Sequence, residues 1–194
     1  MYIPLLDLRD KDASLQIAHS PDNKDSVGLK IFAEKNPSPA LSISLSRDFD
    51  YFHSIVLKHI KRVQESPVDI SVPITINKYI PDQKQYKVVA VIVLNKSLSA
   101  NNPYSMIIKN SSFRHEFMFT MNNNISVGGE KLSEKEKSEI AFDSFKTKFE
   151  MMPSILATSR TEYKIITDTT GSATDKKPTR NSFSKPTEDE IDFT

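Results

Sequence analysis

Cationic and aromatic side chains interleave along segments of this chain that read as strands. Lys30 and Phe32 fall out of phase with Val27, Leu29 and Ile31, so they project from the face opposite the apolar one. Tyr79, Tyr86 and Lys87 flank a loop, and Tyr104, Lys109, Phe113 and Arg114 sit at strand ends. An aromatic face can stack on any base while a neighbouring cation neutralises phosphate, which is the chemistry of single-strand binding. The packing alternative stays open for each ring. Tyr at a strand end can bury its ring and keep its hydroxyl wet, and Phe117 and Phe119 share a face with Phe113 that suits a core.

Catalytic chemistry finds no comparable set. The four histidines, His19, His53, His59 and His115, occur in no HExxH or similar metal spacing. His53 and His59 share a helix six positions apart and so point to different sides. Asp48 and Asp50 sit at a helix start, where acids favour the macrodipole. With four glycines and no cysteine, the chain has no phosphate loop, thiolate metal site or thiol nucleophile. The expectation is a binding protein that is not an enzyme and uses no cofactor or metal.

The elements follow from periodicity. Leu15–Ile17–His19, Val27–Leu29–Ile31–Ala33 and Leu41–Ile43–Leu45 alternate as half-buried antiparallel strands. Phe49, Phe52, Val56, Ile60 and Val63 then recur at helical spacing, predicting a helix over about 47–64 with Ser46 as N-cap. A second set follows. Val68 to Ile76 alternates, with Pro73 marking an edge strand. Lys87 to Leu94 is apolar on both faces and predicts a central strand covered on both sides. Strands at Tyr104–Lys109 and Phe113–Met121 precede a flexible loop at Asn122–Asn124 and Gly128–Gly129. Ser133 and Glu136 form a capping box for a helix that buries Ile140, Ala141, Phe145, Phe149 and Met152 and stops at Pro153. Tyr163–Ile166 suggests one more short strand. The fold class is α+β: antiparallel sheets and two amphipathic helices in tandem strands-then-helix units.

One globular domain over 1–170 is expected, in two similar halves of about 1–66 and 67–153. The stretch 171–194 reads as a disordered linker and acidic tail, because almost no apolar residue occurs before Ile191 and Phe193. Residues 187–194 carry four of the 25 acids and no Lys or Arg, leaving the rest of the chain with 26 Lys+Arg against 21 acids, a net +5. A basic body and an acidic tip can attract each other or compete for one partner.

Glu188-Asp189-Glu190-Ile191-Asp192-Phe193-Thr194 resembles the acidic tip of single-stranded DNA-binding proteins of bacteria and phages. The resemblance implies that Ile191 and Phe193 enter pockets on replication or transcription proteins, while Glu188, Asp189, Glu190 and Asp192 compete with DNA for the binding groove. Those tips usually end on Phe; here Thr194 follows it. The order of elements also resembles the Whirly type of single-stranded DNA binder, with an OB-fold barrel as the alternative.

The resulting expectation is a single-stranded DNA (or RNA) binding protein serving replication, recombination or transcription, plausibly viral. It would bind through Lys30, Phe32, Tyr79, Tyr86, Lys87, Tyr104, Lys109 and Arg114. A protein–protein accessory factor is the alternative, and a homo-oligomer is compatible with either. Charges at Asp7, Arg9, Asp10, Lys11 and Asp12 interrupt any early apolar run, and Val88–Leu94 is too short to span a bilayer. A cytoplasmic protein without membrane contact is therefore expected, in host cytoplasm if viral.

Overall fold

A computed structural model describes residues 2–22, 26–33, 36, 38–121, 126–127, 130–170 and 191–193. The chain is α+β. A first antiparallel meander is built from β1 (Ile3–Arg9), β2 (Ala13–Ser20), β3 (Ser26–Ala33) and β4 (Leu41–Ser44) in that order. Leu15 aligns with Ile31, and Ile17 with Leu29 and then Ile43, so one face is buried and apolar except at His19. β1 is the strand that periodicity misses. A register shift between Pro4 and Leu6 puts Leu5 and Leu6 both inside and breaks the period of two.

The first helix, α1 (Phe49–Glu65), buries the predicted stripe of Phe49, Phe52, Val56, Ile60 and Val63. Its N-terminus differs from expectation. Ser46 accepts a hydrogen bond from the Val27 amide at 3.1 Å, and Asp48 takes the N-cap position without a side-chain bond. At the other end Lys96 Nζ donates to the carbonyls of Gln64 (2.8 Å) and Ser66 (2.6 Å), where a cation also suits the helix dipole.

The second meander comprises β5 (Ile70–Ile80), β6 (Gln85–Lys96), β7 (Tyr104–Lys109) and β8 (Arg114–Met118). A two-strand ladder of β9 (Ser126–Val127) and β10 (Glu130–Lys131) follows; the predicted loop at Asn122–Asn124 and Gly128–Gly129 lies outside the described residues. β6 is central, but it is not covered on both sides. Ala90, Ile92 and Leu94 are buried inward, whereas Val91 and Val93 are half-buried on the outer face. Their apolarity serves cross-strand packing, since Val93 stands between Pro73 and Ile107.

Three expectations about the second helix are corrected. α2 runs from Glu134 to Thr170, straight through Pro153, and takes in Tyr163–Ile166, which form helix rather than strand. Ile140 is 43% exposed, and Phe142 is buried instead. The buried positions Ser138, Phe142, Phe145, Phe149, Met152, Leu156 and Ser159 alternate steps of four and three, one unbroken stripe across the proline. The capping box is present: the Glu136 amide donates to Ser133 Oγ (3.2 Å) and Glu136 Oε2 accepts from the Ser133 amide (2.8 Å).

Pro153 removes the N–H that would bond the Phe149 carbonyl, four residues earlier. His53 of α1 fills the gap. Its Nε2 donates to the Phe149 carbonyl at 2.8 Å, and its ring lies parallel to the Phe149 ring with centroids 5.1 Å apart. The helices are further tied by Gln64, which bonds Asp143 and accepts from Lys146 Nζ at 2.7 Å. α2 packs on β1, β7 and α1, so it touches both sheets. Beyond the proline, Ser159 reaches the buried His19 of the first sheet. All buried apolar residues join a single core. No helix among the described residues is long and apolar enough to cross a membrane.

Residues 171–190, expected as a disordered linker, lie outside the described residues. At Ile191–Phe193 the reading differs from a structureless tip: these residues form β11, paired antiparallel with β5. His53→Ala should lower stability by about 1–3 kcal/mol, because it strands a carbonyl. Adding Pro153→Ala, which returns an N–H at that position, should recover part of the loss in urea melts. Equal costs of His53→Ala in both backgrounds would disprove the compensation.

Candidate nucleic-acid interface

The pairing of β5 with β6 continues after β6 has left β7. The last β6–β7 pair is Val91 with Lys109, whereas β5–β6 pairs run on through Asn77–Val88, Lys78–Lys87, Tyr79–Tyr86 and Ile80–Gln85. Residues 77–88 therefore form a two-stranded arm projecting from one end of the sheet. A register shift between Ile76 and Asn77 inserts an extra residue on β6 where the arm leaves the sheet, and such a bulge bends a ribbon. A 3-10 turn at Pro81–Gln83 closes the arm. Lys84 sits at φ 49°, a left-handed position that costs a non-glycine residue energy.

Side chains on the arm are exposed to a degree the core does not explain. Residues 81–88 are all exposed, with Tyr86 at 48% and Val88 at 53%. The Tyr79 and Tyr86 rings meet edge to face at 5.3 Å. Lys78 and Lys87 stand directly opposite each other, a like-charge pairing that is unfavourable for the ribbon itself. Lys84 adds a third cation near the tip, against one acid, Asp82.

The outer face of the sheet leads to this arm. By alternation along β5, Tyr79 stands on the face of Pro73 and Thr75. Across that face, Thr75, Val91, Lys109 and Arg114 form one row. Further from the arm, Ser71, Asn95, Ser105 and Glu116 are linked in a hydrogen-bonded ladder: Ser71 Oγ to Asn95 Oδ1 (2.8 Å), Asn95 Nδ2 to Ser105 Oγ (3.1 Å) and Ser105 Oγ to Glu116 Oε1 (2.7 Å). Glu116 also faces Arg114 Nη2 at 3.9 Å. This ladder satisfies polar groups internally and leaves the Lys109–Arg114 row as the cationic margin.

Of the predicted residues, the structure thus gathers Tyr79, Tyr86, Lys87, Lys109 and Arg114 at one sheet end. Lys30 and Phe32 lie elsewhere, on the outer face of the first sheet. There Lys30 Nζ sits 4.6 Å over the Tyr2 ring, with Gln16 and Ser42 beside it across the strands. Tyr104 is a correction. It is buried at 6% exposure and stacked on Phe142 at 4.2 Å, because α2 covers that strand end. Burial, with Glu139 and Asp143 nearby, pushes its phenol pKa up.

Sequence reading overlooked Lys78 and Lys84, although both flank the same loop. It also overlooked the run Lys58-His59-Ile60-Lys61-Arg62 on α1. Lys58, His59, Lys61 and Arg62 line a groove of about 620 Å³ with Glu65, Ser66 and Ile70. His59 Nδ1 is buried there with no hydrogen-bond partner among the described residues. Its pKa is pushed down by burial, then by Arg62 and Lys58.

A second cleft, of about 700 Å³, lies between the β1–β2 turn, β8 and α2. Its charges cancel. Arg9 is held by Asp7 at 2.7 Å, and His115 Nε2 bonds Asp10 Oδ2 at 2.7 Å. Asp10 Oδ1 also accepts from the Asp12 and Ala13 amides at 2.9 and 2.8 Å. This carboxylate therefore shapes its own turn and ties the first sheet to the second.

Compared with known proteins, the chain matches no family model, no curated protein and no solved structure.

Partial burial pushes the Asp10 pKa up, but the bonds from His115, Asp12 and Ala13 outweigh it and hold the group below its ordinary value of 3.8. A depressed carboxylate pKa stabilises the fold above the unfolded value and loses that contribution as pH falls through the folded one. Stability should therefore drop as pH is lowered below about 4, and Asp10→Asn should flatten that part of the curve. An unaltered acid limb in the variant's urea midpoints would exclude Asp10 as its source.

Proposed function

We propose that this chain binds single-stranded DNA through the β5–β6 arm and the adjoining outer face, with the acidic tail as a competitor for the same cations. The observation that carries this reading is the arm itself. It leaves Lys84, Tyr86 and Lys87 exposed on a ribbon outside the core, with Lys78 and Tyr79 half-buried beside them. Rings of this kind stack on bases without regard to sequence, and the opposed lysines gain from a phosphate between or beside them. Lys109 and Arg114 add cations on the outer face that Tyr79 and Tyr86 share, whereas Lys78 and Lys87 alternate onto the opposite face of the ribbon.

The tail supports the same reading. Ile191 pairs with Lys78, and the acids Glu188, Asp189 and Glu190 immediately precede it in sequence. A tethered anion competes at high effective concentration, and salt screens it over about 8–10 Å. Recruitment of replication or transcription proteins by Ile191 and Phe193, and a viral setting, follow from the resemblance of the tip alone.

Polarisation titrations with labelled dT oligomer and matching duplex test the proposal. Affinity for dT should exceed that for duplex and fall linearly with log salt. Tyr86→Ala should weaken dT binding by roughly 1–3 kcal/mol, about 5- to 150-fold. Removing residues 187–194 should tighten binding at low salt and change little at high salt. If neither the whole chain nor the truncated one binds dT at low salt, the reading is wrong.

A further inference from the structure

We infer that β11 is an exchangeable strand: the free side of β5 just beyond Pro73 is a docking slot that takes residues 191–193 of a second copy of this chain as readily as its own. The slot is defined by backbone pairing, with Ile191 opposite Lys78, Asp192 opposite Asn77 and Phe193 opposite Ile76. β5 is the edge of its four-strand meander, and its other side is engaged by β6 along the whole strand. Its outward N–H and C=O groups therefore template an added strand. Pro73 lacks an N–H and blunts the edge on one side, while on the other the slot ends at Lys78, in the base of the arm. Strand addition is thereby confined to a short stretch, and α1 runs alongside it.

The strand that exchanges with its own comes from a second copy, for reasons of reach and symmetry. Twenty residues, 171–190, separate α2 from β11. Fully extended, a chain of that length spans up to about 65–70 Å. A domain of this size has a radius of gyration of about 15–16 Å. The connector is thus long enough to cross to a neighbour. Every copy carries both strand and slot, so exchange proceeds head to tail and can continue along a row. The pairing is short, and β11 is far in sequence from β5, so no tight turn locks it in its own chain. Lys78 and Lys87 near the slot also favour any strand preceded by Glu188, Asp189 and Glu190. The inference does not depend on nucleic-acid binding.

The chain has no cysteine, which permits a direct test. Asn77 and Asp192 are partners across the slot, at a Cα separation of about 4.5–5.5 Å for antiparallel strands. That lies within disulfide range. Full-length Asn77→Cys and Asp192→Cys variants, one tagged to change its mass, would be mixed and oxidised. Leu98→Cys, at an exposed loop position, mixed with Asp192→Cys measures random collision. A linked heterodimer formed several-fold above that background, rising with protein concentration, is the expected result. Linkage only within a chain carrying both substitutions, with the mixture no better than background, would overturn exchange and leave β11 fixed in its own chain. No linkage even in the doubly substituted chain would overturn the slot itself.

Discussion

The bond from His53 to the Phe149 carbonyl lets one helix serve both sheets. A proline in the middle of a helix that runs from Glu134 to Thr170 would normally end it, and the chain beyond would then have to find another place to pack. Instead the orphaned carbonyl is taken by a ring from α1, and the stripe of buried residues passes through Pro153 without a change of phase. Leu156 reaches the common core only because the helix continues, and so does Ser159, which meets His19 on β2. The interaction also sets the relation between the helices, because the parallel rings of His53 and Phe149 fix how closely α1 approaches α2. Interior carbonyls without partners are costly, so this compensation constrains the histidine as firmly as the proline.

The strands-then-helix order was legible because most apolar residues keep a strict period. Ile17, Leu29 and Ile43 lie side by side as their alternation requires, and all five residues of the α1 stripe are buried. Departures arose where one local rule overrode another. A bulge hid β1 by placing Leu5 and Leu6 on the same side. The rule that proline stops helices concealed the second half of α2, although the four-and-three spacing from Ser138 to Ser159 carried the opposite signal. β6 looked covered on both faces because cross-strand contact between Val93 and Ile107 uses the same residue types as helix packing.

The candidate interface was legible in part for a related reason. Tyr79 and Tyr86 flank a turn, and no helix follows closely enough to cover them. Tyr104 has the same local signature, but α2 lies over it, and Phe142 takes its ring. Nothing local separates the two cases; the decision rests on which strand ends lie beneath a helix. Lys30 and Phe32 were placed on the correct face of their strand, yet on the other sheet, because face is a local property and neighbourhood between sheets is not.

Stability and function pull the arm in different directions. Beyond Lys78 its pairing is purely its own, its lysines oppose one another, and Lys84 holds a left-handed backbone. A ribbon with those features contributes little to the folded state, and two-stranded hairpins are marginal alone. What supports it is at its base, where β11 adds a third strand against Ile76, Asn77 and Lys78. Whatever removes β11 from its slot therefore loosens the base of the arm. Under the proposed function, an anion on the arm and β11 at its base would meet at Lys78, and their coupling would be reciprocal: the anion would weaken the hold on the tail by the factor that the tail weakens the hold on the anion.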